Sequence, residues 1–397
     1  MIPAPARAVD YDALAKETQE GIYALYRQLR AQRPVAWSDA WGGFWSLLKH
    51  EDVARAATEY RTFINSVQNV VPKVAFTGRR PPLHLDPPAH TPFRSALNPL
   101  LAERRVAVLE PTIRRLCGEL LAPLLEAGEC DICEDFSSRL PVNVFAEWMR
   151  IPPELAAPLR QAGRAFNVAV QSNLDSVVRQ TSLALYEMAR ELIALRKHTP
   201  LDPDIDPTSA LLAARHEGQA LPDELIVGCV RQVLVVGIIA PTVLIGSISV
   251  HLSADPALQQ LLRGNRQLIA AAVEEFLRLY TPYRGFARTA NRDIEVRGCP
   301  IGQGEPIALN YASANRDEAV FENPDQFVLH RPNIAQSLAF GRGPHHCPGA
   351  ALARLELKVA LEELLGRTRG FETYGPITRT RMPELGVLSV RMRFTKG

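Results

Sequence analysis

Residues 340–349 read FGRGPHHCPG. One cysteine, Cys347, sits among three glycines, two prolines and two histidines. A cysteine used only for packing behaves as a small buried hydrophobe and needs no such setting. Gly341, Gly343 and Gly349 permit backbone shapes and close approaches that a side chain would block, so loop amides can point at a thiolate. From Gly349 the chain runs GAALARLELKVALEELLGR, a helix with Leu352, Leu355 and Val359 as its inward stripe. The positive end of that helix faces Cys347 and favours an anionic sulfur. A zinc site wants more cysteines or histidines at set spacings, and His345 and His346 lie too close to Cys347 to complete one. What remains is a nucleophile, or a lone thiolate ligand to haem iron, where a porphyrin supplies the in-plane ligands.

The rest of the chain narrows the setting. Of 397 residues, 47% are hydrophobic and 22% charged, an ordinary globular balance. A net charge of +2 implies no polyanion, and no nucleic-acid partner is expected. The N-terminus MIPAPARAVDYD lacks a signal pattern. The longest apolar run, VLVVGIIAPTVLIG (233–246), is short, follows Arg231 and contains Pro241. It reads as a buried central helix, so no membrane partner is expected. Six cysteines are too few for a disulfide framework, which points to a reducing cytoplasm. The pair in ECDIC (129–133) has no second pair to form a metal cage and is read as structural.

Helical periodicity covers 13–32, 100–126, 178–197, 223–252, 256–280 and 350–366. Alternating segments are short: FWSLLK (44–49), DIEVR (293–297), PIALNYA (306–312) and VLSVRMRF (387–394). The rhythm of a doubly wound parallel sheet is missing. Prolines cluster in loops at 79–88, 199–207 and 323–332 and punctuate helices. The expectation is one domain over 1–397, mainly α with small β-sheets, acting as a monomer.

Three further stretches matter. In VEEFLRLYTP (273–282), Glu275 and Arg278 are three apart and can pair on one helix face. In LDPPAHTPFRSALN (85–98), His90 and Arg94 are four apart and share a face, which suits two carboxylates. A third stretch, FARTANRDIEVRG (286–298), lies downstream. Together with Phe340, Gly341, Gly343, His345, Cys347 and Gly349, these resemble the signatures of the cytochrome P-450 family. The loop fits that family's Phe-Gly-x-Gly-x-His-x-Cys-x-Gly pattern at every fixed position, and Leu352-Ala353-Arg354 also fits. The resemblance implies a P-450 fold, with haem b (iron protoporphyrin IX) between a long distal helix and the cysteine-loop helix. It implies Cys347 as the metal ligand, with Phe340 and Gly349 in its loop. It implies propionate contacts from His90, Arg94, Arg288 and His345. Glu275 and Arg278 would join a structural network with a third basic residue, Arg331 or, second, His330.

One departure stands out. The family's distal helix carries Ala/Gly-Gly-x-Asp/Glu-Thr, whose acid and alcohol relay protons toward the iron. Here the segment is Val236-Gly237-Ile238-Ile239-Ala240-Pro241-Thr242, with Ile239 in the acid position and Ala240 in the alcohol position. Thr242 lies two residues on, roughly 200° around a helix, and should face away unless the helix is distorted. Pro241 has no N–H, so a kink and a free Gly237 carbonyl are expected beside the reacting centre. Gly237, Ala240, Pro241 and Thr242 are therefore the catalytic candidates.

The resemblance implies a monooxygenase that inserts one atom of O2 into an apolar small molecule, by hydroxylation or O-demethylation. Electrons come from a separate ferredoxin and ferredoxin reductase, docking near Arg342, Arg354, Arg104 and Arg105. The expected pocket wall includes Val236, Gly237, Ala240 and Phe286, the loop 62–84 acts as a lid, and Arg284 is a candidate holder for a substrate carboxylate. The missing relay leaves other classes open: a peroxygenase using hydrogen peroxide, a haem-thiolate isomerase or nitric-oxide reductase, or a haem sensor without turnover.

Overall fold

The computed structural model describes residues 8–15, 21–73, 77–172, 174–284 and 286–395. Part of the helix expected at 13–32, and positions 74–76 of the expected lid, lie outside the described residues. The protein is mainly helical, with small sheets set to one side.

The larger sheet has five strands in the order Val35–Ser38, Phe44–Leu47, Pro306–Leu309, Phe286–Ala290 and Phe63–Ile64. Its middle pairs Ile307 with Arg288, which fixes Arg288 on a rigid element. Phe286 and Arg288 are two apart on that strand and therefore share a face. A second sheet pairs Gly370–Arg379 with Val387–Thr395, and the latter with Glu129–Asp131. The ECDIC stretch thus enters a strand and then a π turn, with Cys130 and Cys133 buried. Burial pushes both thiols up to about 12, which suits packing rather than redox work.

The helix Ala350–Arg367 packs against Glu110–Ala127 and Ile269–Leu279. Ile239–Ala254 is apolar on every side because it is buried on every side, against Val387–Thr395 and the turn 132–137. The expected single helix over 223–252 is two helices, Asp223–Val233 and Ile239–Ala254, separated at 234–238. Among the described residues, no helix is long and apolar enough to cross a membrane.

Candidate active site

Backbone hydrogen bonds fold the cysteine loop. The Gly341 N–H donates to the Leu338 carbonyl and the Cys347 N–H to the Phe340 carbonyl, both at 2.9 Å. Leu352 and Val359 of the next helix are buried, and Leu355 is partly buried beside them. Burial pushes the Cys347 thiol up, against the pull of the Gly349 N–H, Arg94 and Arg354. The loop contacts favour an anionic sulfur, and a coordinating cation would add to them.

Four nitrogen-bearing side chains gather beside the loop. The His90 and His345 ring centroids are 4.6 Å apart. Arg94 Nη1 donates to the His346 carbonyl at 2.8 Å. Arg288 Nη1 donates to Asn65 Oδ1 at 2.9 Å, and the Asn65 amide lies 3.3 Å from His345 Nδ1. Asp86 accepts from the N–H groups of Asn65 and Ser66 and has an oxygen 3.9 Å from His345 Nε2. Burial, helped by the charges of His345 and Arg94, drives His90 down to about 4. Burial also lowers His345, despite the neighbouring Asp86 carboxylate. For Asp86, burial pushes upward, but the neighbouring His345 ring and hydrogen bonds from Asn65 and Ser66 outweigh it and hold the carboxyl below its ordinary range.

His90 Nε2, Arg94 Nε and His345 Nε2 are buried without a hydrogen-bond partner. Such atoms are costly unless something completes them. Three of them beside one cysteine loop call for a ligand with several acceptor oxygens. The two propionate carboxylates of haem b fit that need, and Cys347 fits its iron.

Behind the loop, Glu275 is 1% exposed and receives two arginines. Arg278 Nη2 donates to Glu275 Oε1 at 2.7 Å and Arg278 Nε to Oε2 at 2.8 Å. Arg331 Nε lies 3.0 and 3.1 Å from the same two oxygens. The remaining guanidinium hydrogens go to the carbonyls of Asn315, Pro324 and Glu322. His330 adopts a φ of +58° and takes no part in these hydrogen bonds.

The distal segment differs from its expectation. The break at 234–238 precedes Pro241, so the proline does not cause it. Pro241 falls in the first turn of Ile239–Ala254, where a missing N–H costs nothing. The break is set by Gly237, whose φ is +112° and where a Cβ would meet a Phe145 ring carbon at 2.2 Å. Among the described residues, no backbone N–H donates to the Gly237 carbonyl. Val236 is exposed; Gly237, Ile239 and Ala240 are partly so. The Thr242 hydroxyl is buried 2.7 Å from the Ile238 carbonyl and 2.9 Å from the Ser137 carbonyl. It is turned from the accessible face.

Of the pocket candidates, Phe286 packs against Tyr283 with the rings tilted by 44° and their centroids 4.6 Å apart. Arg284 is 2% exposed, hydrogen-bonds the Tyr26 side chain and lies near Tyr11 and Glu384. Sequence reasoning missed Asn65 and Asp86, which reach the site from loops. It also missed the buried Arg231 and the half-buried Arg80, whose only signal was an arginine ahead of the long apolar run.

The family model for cytochrome P-450 matches residues 247–374. The chain is 30% identical to "Cytochrome P-450 109" of Bacillus spizizenii, over 88% of this chain and 85% of that protein. It is 30% identical to linalool 8-monooxygenase of Pseudomonas putida, over 92% and 93% of the two chains. A solved cytochrome P-450 from Chondromyces apiculatus superposes with a TM-score of 0.88 at 28% identity, covering 98% of both chains.

Proposed function

The chain belongs to the cytochrome P-450 family, and on that premise we propose that it oxidises a small organic molecule with a mainly apolar body, by hydroxylation or O-demethylation, using electrons from a separate ferredoxin and ferredoxin reductase. The enzyme is a haem-thiolate monooxygenase. One observation carries the site assignment: Cys347 lies in a loop flanked by buried, unpartnered groups of His90, Arg94 and His345. Haem b, when bound, supplies the activation of O2 and the delivery of one oxygen atom to a substrate carbon.

The chain's own residues do the rest. Cys347 holds the metal by its sulfur, and Phe340 and Gly349 flank it. His90, Arg94, Arg288 and His345 orient the cofactor through its carboxylates. Val236, Ile239 and Ala240 give the distal face an apolar surface that favours an apolar guest and excludes bulk water. The Gly237 carbonyl accepts a hydrogen bond from a water or a substrate hydroxyl and so offers a place to hold a proton. The described parts of the loop, 62–73 and 77–84, cover the guest. Arg342, Arg104 and Arg105 are exposed and suit an acidic electron donor. Arg354 is held by Glu274 at 2.5 and 3.0 Å and contributes less. A fall in reduction rate with rising salt checks that docking face.

The reduced, carbon-monoxide-treated protein should show the thiolate absorbance band, and Cys347→Ser should abolish both band and turnover. Absence of the band from the unaltered protein, or its survival in the variant, overturns the assignment. A second reading, peroxide as oxidant, draws on one observation: neither Ile239 nor Ala240 can relay a proton, and Thr242 is turned away. Turnover driven by NADH and ferredoxin, measured beside turnover with hydrogen peroxide, separates the two. Inert peroxide with tight coupling to electron delivery eliminates the second.

A further inference from the structure

Two arginines lie together on the distal side with no acid to meet them. Arg231, in Asp223–Val233, is 0% exposed. Its Nη2 donates to Ser182 Oγ at 2.8 Å, and its guanidinium sits 4.6 Å above the Phe166 ring and 5.8 Å from the Tyr186 ring. Its Nε and Nη1 have no hydrogen-bond partner. Arg80, in the proline-rich loop, donates from Nη2 to His84 Nε2 at 3.2 Å, and its Nε is also buried and unpartnered. Burial, and then the charge of Arg80, push Arg231 down to about 9. Burial, then Arg80, Arg231 and Arg79, push His84 down to about 3, which leaves it a neutral acceptor. Among the described residues, no carboxylate forms an ion pair or hydrogen bond with either arginine.

A packed core has no use for this arrangement. A buried cation without a counter-ion is destabilising, and a second cation beside it makes matters worse. Yet the chain holds the two together. Gly228 lies three residues before Arg231, and a Cβ there would sit 1.9 Å from the Arg79 carbonyl. The loop backbone rests directly on the helix at the residue before Arg80, an approach that any side chain would block.

We infer that Arg80 and Arg231, with Ser182, form the anion-binding end of the substrate pocket, and that the substrate bears a carboxylate or phosphate on an otherwise apolar body. This rests on the reading that segment 236–240 faces the substrate. Arg231 precedes Gly237 by six residues, in the last turn of the helix that ends at Val233 just before the break. An anchored head group therefore leaves the apolar part free to extend toward Gly237 and Ala240. The idle Nε and Nη1 leave donors on both sides of the guanidinium, and the second hydrogen of Nη2 completes a two-point contact with whichever of them lies away from Ser182. Ser182 is held in place by Thr77, its Oγ 2.7 Å from Thr77 Oγ1.

The test uses the haem-loaded enzyme and a panel of linear and aromatic monocarboxylates, their methyl esters, and alkyl phosphates of equal length, monitored by the spectral shift of the haem. At least one acid or phosphate should bind about 30-fold or more tightly than its neutral ester, the expected scale for a buried charge contact. Arg231→Met and Arg80→Met should erase that preference, and Arg231→Lys should restore part of it. Esters binding as well as acids, no binding by any anion, or a preference that survives Arg231→Met overturns the proposal. Failure of Arg231→Met to hold haem while remaining folded also overturns it, by making the arginine a cofactor contact. The carbon-monoxide band of the same samples tells the two failures apart: a normal band with indifferent ligands sinks the anion site alone.

Discussion

Arg331 and Arg231 are both buried arginines, 5% and 0% exposed, and they differ in what faces them. Arg331 meets Glu275, already met by Arg278, and their other donors find backbone carbonyls. Arg231 donates to a serine and feels the charge of Arg80, whose own partner is an uncharged histidine, and two nitrogens of Arg231 stay idle. The first region is closed: its charges satisfy one another, so they hold the chain near the cysteine loop in one arrangement. The second is open, and its unmet need is for something the chain does not contain. A buried charge met by the fold is architecture; a buried charge left unmet marks a place for a ligand.

That contrast can be broken most sharply at Glu275. Glu275→Gln keeps the shape but leaves two buried guanidinium ions sharing a neutral amide. The expected loss is about 3–5 kcal/mol, enough to shift the urea midpoint strongly or prevent accumulation of folded protein. A near-neutral result would mean that the region is no more closed than the distal one.

The opposite sign is expected at Arg231. In the enzyme without substrate, Arg231→Met removes an uncompensated buried cation and keeps an apolar stem of similar length. Stability should rise by about 1–4 kcal/mol, read as a higher Tm. A lower Tm would place Arg231 in the same structural class as Arg331 and dissolve the comparison.

Legibility from residues alone divides along the same line. The cysteine loop, Glu275 with Arg278, and His90 with Arg94 each lie within a few positions, where helical or loop geometry brings them together whatever the remainder does. Their partners were another matter. Asn65 reaches Arg288 across 223 positions and His345 across 280, because a five-stranded sheet and a loop bring them together. Arg331 could be proposed only by analogy. The distal helix was misjudged because an apolar run hides its own interruptions. Pro241 drew attention as a breaker, while the actual break comes from Gly237 yielding to Phe145, a contact between distant segments. Arg80 and Arg231 were illegible for the same reason: burial without a partner is a property of three-dimensional neighbours.

Gly237→Ala sharpens the account of the distal break. The substitution adds a Cβ at a φ of +112° and drives it against the Phe145 ring. The expected cost is roughly 1–3 kcal/mol. Adding Phe145→Leu should recover the part due to contact and leave the part due to backbone strain, since the two residues touch and their effects do not simply add. If Gly237→Ala is tolerated without loss, the segment 234–238 is not held as described, and the apolar face assigned to Val236 and Ala240 loses its support.

The smallest effect belongs to Thr242, and its smallness is the point. Thr242→Val removes a hydroxyl that lies within donating distance of the Ile238 and Ser137 carbonyls, all of it buried. The loss should be about 1 kcal/mol, the usual worth of one such bond. Ser137 Oγ donates to the Thr242 carbonyl at 3.1 Å, a contact that the substitution leaves alone. Product formed per electron consumed should stay at the level of the unaltered enzyme, because this hydroxyl never reaches the accessible face where oxygen is handled. A relay threonine would behave otherwise: its removal would spill electrons to peroxide and water while barely changing stability. Collapse of coupling in Thr242→Val would therefore mean that the helix turns in the working enzyme, and that the distal side recruits its proton donor only once a substrate is seated.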